Sequence, residues 1–461
     1  MTQRRISAGS PRIDEVLGGG LPTNAINLII GAPGSGKTIL SQQYVFHNAT
    51  AERPALYLST VSEPFDKIIR YGQAMTFFDP KAVGTRVLYE DLGAPLRDGG
   101  LDAVLAAVDR LTKEHRPGIV VIDSFKALGA FAQNDAEFRR FLHDLAGRLT
   151  AMAASSFWVG EYSRENAVDA AEFAVADSII ALTTKRTLER EIRVLQVLKL
   201  RGSNFLSGEH AYRISPAGIK VFPRLADLID ISDYELGTER HATGVAALDD
   251  LLGDGYWPGA ATLVAGPSGI GKTLMGLHFI FNGAKAGQPG LIASLQENRI
   301  QLERVVRGFG WSLDTPGVSL LARSPVDMYI DEWVYDLLEE VERNGCKRIL
   351  IDSLVDLALS AGDDRRFREW MYSLTQRCSR AGISLMMTME IPELFSVTKV
   401  SENGMSHLSD NVVVLQYVKD EEQLYRALTV LKTRASNHQP AVRRYEITPE
   451  GITLSQGFAA V

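Results

Sequence analysis

Cysteine is nearly absent from this chain. Of 461 residues only Cys346 and Cys378 are cysteines, too few for a disulfide framework or a four-thiolate metal site. A reducing, cytoplasmic setting is the expectation. The eight histidines show no metal spacing and no H-E-x-x-H pattern. No apolar run approaches the roughly 18 residues that a membrane span needs, so no membrane partner is expected. The opening residues Met1 to Ser7 are basic but lead into no apolar stretch, unlike a secretory leader. A basic excess is also missing: 49 Lys and Arg against 56 Asp and Glu give a net charge of −7. Global charge therefore does not suggest a nucleic-acid partner. Arg365, Arg366 and Arg368 beside Trp370 read as the solvated face of an amphipathic helix.

What the chain does have is an ordinary folded composition, 45% apolar and 23% charged, over a length beyond the roughly 100–200 residues of one domain. It also repeats itself. Gly31 to Thr38, GAPGSGKT, recurs as GPSGIGKT from Gly266 to Thr273, an offset of 235. Ile122-Asp123-Ser124 recurs as Ile351-Asp352-Ser353, an offset of 229. Lys199-Leu200-Arg201 recurs as Lys432-Thr433-Arg434, and Ile214 to Ile219 recurs as Ile447 to Ile452, both at 233. Landmarks that keep their order and nearly keep their spacing predict two homologous domains, 1–235 and 236–461, joined near Leu225–Arg240.

Each repeat reads as α/β. Ala25–Ile30 and Ala55–Ser59 are short apolar runs, and Gly118–Ile122 is a continuous one, as a strand buried on both faces should be. Longer amphipathic stretches such as Leu101–Glu114 lie between them. Trp257-Pro258-Gly259 reads as the turn before the second repeat's first core strand. The alternation predicts two mostly parallel sheets covered by helices.

G-x-x-x-x-G-K-[ST] after a strand and before a helix is a phosphate loop. Its backbone N–H groups wrap phosphate oxygens, its lysine neutralises them and its hydroxyl binds Mg²⁺. The candidate ATP-binding residues are therefore Gly31, Ala32, Pro33, Gly34, Ser35, Gly36, Lys37 and Thr38. Their counterparts are Gly266, Pro267, Ser268, Gly269, Ile270, Gly271, Lys272 and Thr273. Asp123 and Asp352 end apolar runs downstream, where a Walker B carboxylate helps hold Mg²⁺. The metal set is thus Thr38 with Asp123 and Thr273 with Asp352, and Lys37 and Lys272 also face the transferred phosphoryl group.

With these motifs the chain resembles the KaiC family of double-domain RecA-like ATPases from Ser7 to Leu454. The resemblance implies a homo-hexamer with ATP between subunits and adjacent catalytic glutamates after the next strand. In the second repeat that run is Ser294-Leu295-Gln296-Glu297, so Glu297 is kept and glutamine stands at Gln296. In the first repeat the run is Thr60-Val61-Ser62-Glu63-Pro64, and Glu63 is the catalytic candidate although it falls one place late. The resemblance also implies that Lys199, Leu200, Arg201, Lys432 and Arg434 reach ATP held by a neighbouring subunit. The family's second domain phosphorylates adjacent hydroxyl residues. Here the first is Ser406 and the second position is His407, which leaves Ser406 as the phosphorylation candidate. A KaiB-like protein is a candidate partner. A KaiA-type activator is not expected, since seven residues follow Leu454. Two alternatives share the fold: a RecA/RadA-type nucleic-acid-dependent ATPase and an ATP-gated signalling scaffold.

Overall fold

The computed structural model describes residues 4–60, 65–162, 170–187, 190–225, 237–326, 328–391, 405–420, 423–434, 438–439 and 441–454. The chain forms two compact units, Met1–Asp227 and Leu228–Val461.

In the first unit a small ribbon pairs β1 (Arg5–Ile6) with β2 (Leu21–Pro22). The main sheet contains β3 (Ile26–Gly31), β4 (Ala55–Ser59), β5 (Val87–Asp91), β6 (Ile119–Asp123) and β7 (Ser155–Gly160). Four more strands complete it: β8 (Ser178–Thr187), β9 (Arg190–Leu200), β10 (His210–Ser215) and β11 (Gly218–Phe222). The order is β11-β10-β9-β8-β3-β7-β6-β4-β5. From β8 to β5 every pairing is parallel. From β8 to β11 every pairing is antiparallel.

Alternation along these strands builds two cores. Ile29, Tyr57, Val121 and Phe157 face the helix Lys37–Asn48. Leu28, Leu56, Val120 and Trp158 face the helices Gly93–His115 and Asp135–Ala151. The central strands are buried on both sides, which is why they read as unbroken apolar runs.

The second unit repeats this plan. Its strands are β12 (Ala261–Gly266), β13 (Gly290–Ser294), β14 (Val318–Ala322), β15 (Arg348–Asp352), β16 (Ser384–Glu390), β17 (Asn411–Asp420), β18 (Gln423–Thr433), β19 (Arg443–Thr448) and β20 (Gly451–Leu454). The order is β14-β13-β15-β16-β12-β17-β18-β19-β20. The helix Lys272–Lys285 covers the face carrying Val264, Ile292, Leu350 and Met386. Ala260 closes the expected turn on Trp257, donating its N–H to that carbonyl at 3.0 Å. The arginine cluster lies on the helix Asp364–Arg380, with Trp370 buried against Trp333 and Arg365 paired to Glu369.

Candidate active site

Each phosphate loop leaves the C-terminal end of a central strand and enters a helix. Gly36 and Gly271 cap those helices with φ of 92° and 113°. Side chains rarely adopt that region, so only glycine turns the chain there without strain. Lys37 and Lys272 begin the two helices and are buried. The ammonium of Lys37 donates to the Ala32 carbonyl at 2.9 Å, and that of Lys272 to the Pro267 carbonyl at 2.8 Å. Burial pulls both ammonium groups below the ordinary lysine value. Glu161 and then Asp123 oppose this at Lys37; Glu390 and then Asp352 oppose it at Lys272.

The two aspartates end the strands that lie beside β4 and β13. Thr38 donates from Oγ1 to Asp123 Oδ2 at 2.9 Å, and Thr273 to Asp352 Oδ2 at 2.7 Å. A second donor holds each carboxylate, and it differs between repeats. Tyr57 on β4 donates to Asp123 at 2.7 Å, whereas Thr388 on β16 donates to Asp352. The Asp–Ser peptide that follows is cis in both repeats. In the first unit a cavity of about 440 Å³ opens over the loop, bounded by Gly34, Lys37, Thr38, Asp123 and Glu161. That is within the size of small-molecule sites.

Sequence reading missed the groups that brace these loops. Tyr212 of β10 donates its hydroxyl to the Ser35 carbonyl at 2.6 Å, and Tyr445 of β19 to the Ile270 carbonyl at 2.6 Å. Ser35 and Ile270 hold the same place in the two loops. The tyrosines recur at 233, the offset of the Lys-x-Arg elements, and that was the available signal. Glu161 and Glu390 recur at 229, the offset of the aspartates.

Glu297 is half-buried, and its Oε2 is buried with no hydrogen-bond partner among the described residues. Its backbone is fixed on both sides. Its N–H donates to Ser294 Oγ at 3.1 Å, and Asn298 starts a capping box with Gln301. Burial, and then the charge of Asp352, raises the Glu297 carboxyl above its usual range. Gln296 is exposed and its amide donates to Asp356 at 2.8 Å. Glu63 lies outside the described residues.

The Lys-x-Arg elements are not brought to the loops of their own domains. Lys199 pairs with Ile179 near the start of β8, and that start lies against Asn27 at the beginning of β3. The loop leaves the other end of β3, at Gly31. Within each element the lysine lies on the strand and the arginine beyond it, because β9 stops at Leu200 and β18 at Thr433. Even so, both cations converge on one short helix: Lys199 donates to the Phe173 carbonyl at 2.9 Å and Arg201 to that of Ala174 at 3.3 Å. In the second unit Lys432 donates to the Ser409 carbonyl at 2.7 Å and Arg434 to that of His407 at 2.9 Å. Leu200 itself is buried in the hydrophobic core. Ser406 belongs to the short helix Met405–Leu408, directly before β17. β17 begins opposite Thr262 of β12, again away from the loop at Gly266.

Fold and loops together define a duplicated RecA-like P-loop ATPase. A sequence profile described as "ATPase: KaiC" matches residues 6–226 and 241–457, and the chain belongs to that KaiC ATPase family. It is similar to the circadian clock oscillator protein KaiC of Rippkaea orientalis, 27% identical over 99% of this chain and 89% of that one. It is also similar to circadian clock oscillator protein KaiC 1 of Synechocystis sp., 27% identical over 96% of this chain and 88% of the relative. The KaiC of Synechococcus elongatus is 26% identical, with 96% and 88% covered. Among the described residues no helix is long and apolar enough to cross a membrane.

Proposed function

We propose that the chain hydrolyses Mg-ATP in nucleotide-dependent hexamers and that its second domain transfers a γ-phosphoryl group to Ser406 of a neighbouring copy. The observation that carries this reading is the separation within each sheet. The phosphate loop stands at one end of the central strand, while Lys199 and Arg201, or Lys432, Arg434 and the Ser406 helix, stand at the other. Four strand residues at about 3.3 Å each put roughly 13 Å between those ends. Each domain by itself leaves that gap open, and on this reading a neighbouring copy in a ring closes it.

The residues present fit ATP and Mg²⁺. Lys37 and Lys272 rest on carbonyls of their own loops, bonds that phosphate oxygens can take over. Ser35 Oγ is buried with no partner among the described residues. Thr38 with Asp123 and Thr273 with Asp352 supply the hydroxyl and carboxylate that a Mg²⁺ site of this type uses. ATP supplies the transferable phosphoryl group and Mg²⁺ neutralises its charge. Glu297 acts as the base in the second domain, its unpartnered oxygen accepting a proton from water or from the Ser406 hydroxyl. Gln296 beside it orients that acceptor without taking the proton. Arg201 and Arg434 carry charge that cannot be neutralised and suit the developing phosphoryl charge. By its likeness to KaiC proteins, a KaiB-like protein is the partner to test.

Native mass spectrometry with and without ATP tests the assembly. Hexamers formed only with nucleotide support it, and a persistent monomer overturns it. Phosphate-affinity electrophoresis of wild type against Ser406→Ala and Glu297→Gln tests the transfer. A shifted band in wild type that both substitutions remove supports it, and no shift in wild type overturns it.

A further inference from the structure

The two repeats share a strand register next to their aspartates. Ser59 of β4 stands opposite Asp123, and Ser294 of β13 opposite Asp352. The next residue donates its N–H to the aspartate's carbonyl in both, Thr60 at 3.0 Å and Leu295 at 2.8 Å. Counted from that common point, the places of Gln296 and Glu297 fall on Val61 and Ser62. By that count Ser62 takes the place of Glu297, and Glu63 falls one residue later.

A different carboxylate borders the first domain's cavity. Glu161 lines it together with Lys37, Thr38 and Asp123. It follows Gly160, the last residue of β7, which pairs with Ile30 just before the phosphate loop. Val159, two residues earlier than Glu161, pairs with Asp123. Glu161 thus leaves the sheet between the loop and the aspartate. Its backbone is held in place: Lys126 donates to the Glu161 carbonyl at 2.6 Å, and the buried Tyr162 donates its hydroxyl to Glu172. Gly160 leaves room for the Tyr162 ring, which a Cβ would strike. The Glu161 side chain is exposed, so water reaches it.

We propose that Glu161 is the catalytic residue that holds and deprotonates the attacking water in the first domain, the role Glu297 has in the second. The carboxylate accepts a proton from water as the water oxygen bonds to the γ-phosphorus. The bond from that phosphorus to the β–γ bridging oxygen breaks, ADP departs with the electron pair, and Glu161 returns its proton to solvent. This assignment rests on the reading that the first domain hydrolyses ATP.

The test uses the full chain with Lys272→Ala, which silences the second domain, and compares Glu161→Gln and Glu161→Asp with that parent. Binding of a fluorescent ATP analogue and single-turnover hydrolysis are both measured. The expected result is binding kept while Glu161→Gln lowers turnover about 100-fold or more, the scale of a lost general base, with partial recovery in Glu161→Asp. Full turnover in Glu161→Gln overturns the assignment, and so does tighter ATP binding with turnover kept, which marks Glu161 as a charge acting only on Lys37. Loss of turnover in Glu63→Gln with Glu161→Gln fully active overturns it in favour of Glu63. A Lys272→Ala parent with no hydrolysis at all overturns both this assignment and the first domain's activity, and so is told apart from the other results.

Discussion

Tyr212 donates its hydroxyl to the carbonyl of Ser35 at 2.6 Å, and that bond fastens the antiparallel edge of the first sheet to its phosphate loop. Tyr445 does the same for Ile270 in the second unit. Tyr212→Phe removes the donor to a carbonyl in a buried setting. The expected cost is about 1–3 kcal/mol, with weaker ATP binding in the first domain alone. Urea denaturation and nucleotide titration check both parts, and Tyr445→Phe moves the effect to the second domain.

Thr273 donates to Asp352, and Thr388 supports the same carboxylate from the neighbouring strand; in the proposed function the Thr273 hydroxyl is a Mg²⁺ ligand. Thr388→Val is expected to weaken the metal about 10–100-fold, as loss of an outer support does. Thr273→Val removes a direct ligand and weakens it further. ATPase rates of Lys37→Ala chains titrated with Mg²⁺ report the second domain and check the ranking.

Acid should loosen the second domain through His278. Its Nε2 accepts the N–H of Ile452 at 3.0 Å, a bond only the neutral ring can accept. Burial above all, with Lys285 adding, holds its value at about 4 against 6.5 unfolded, while a hydrogen bond to the Gly244 backbone opposes the drop. The unfolded chain therefore takes up the proton first as pH falls. This stabilisation is full above pH 6.5 and declines toward pH 4 by roughly 3 kcal/mol. In the first unit the same place is held by Gln43, whose Oε1 accepts from Ile219 at 2.8 Å and does not titrate. His278→Gln should flatten the acid decline in denaturation curves taken between pH 7.5 and 4.5.

Arg434→Ala should weaken nucleotide-dependent assembly and second-domain turnover while leaving the Lys272 loop intact. Arg434→Lys keeps the charge but loses the planar fork, and should restore assembly better than turnover. Native mass spectrometry and ATPase rates of the same samples separate the two effects.

The loops, the aspartates and the core strands were legible because each is a local pattern, an apolar run ending in a characteristic residue. Repetition made them legible twice. The braces were not legible. Tyr212 and Ser35 stand 177 residues apart, and only the strand order brings them together. No local pattern marks Glu161, and its neighbours emerge only once β7 is seen between β3 and β6. The four-strand antiparallel edge was hidden for a related reason. Residues 179–182 and 192–200 are rich in apolar residues, which does not say which way a strand runs.

The opposite placement of loop and cations has a consequence for stoichiometry. If hydrolysis needs a loop from one copy and an arginine from the next, the working unit is the junction between copies. In that case a chain lacking Lys272 and a chain lacking Arg434 would each, on its own, be crippled in the second domain. Mixed together, they form some junctions that take the intact loop from one and the intact arginine from the other. Two crippled preparations would then regain activity on mixing, and the amount regained would count neighbours around the ring.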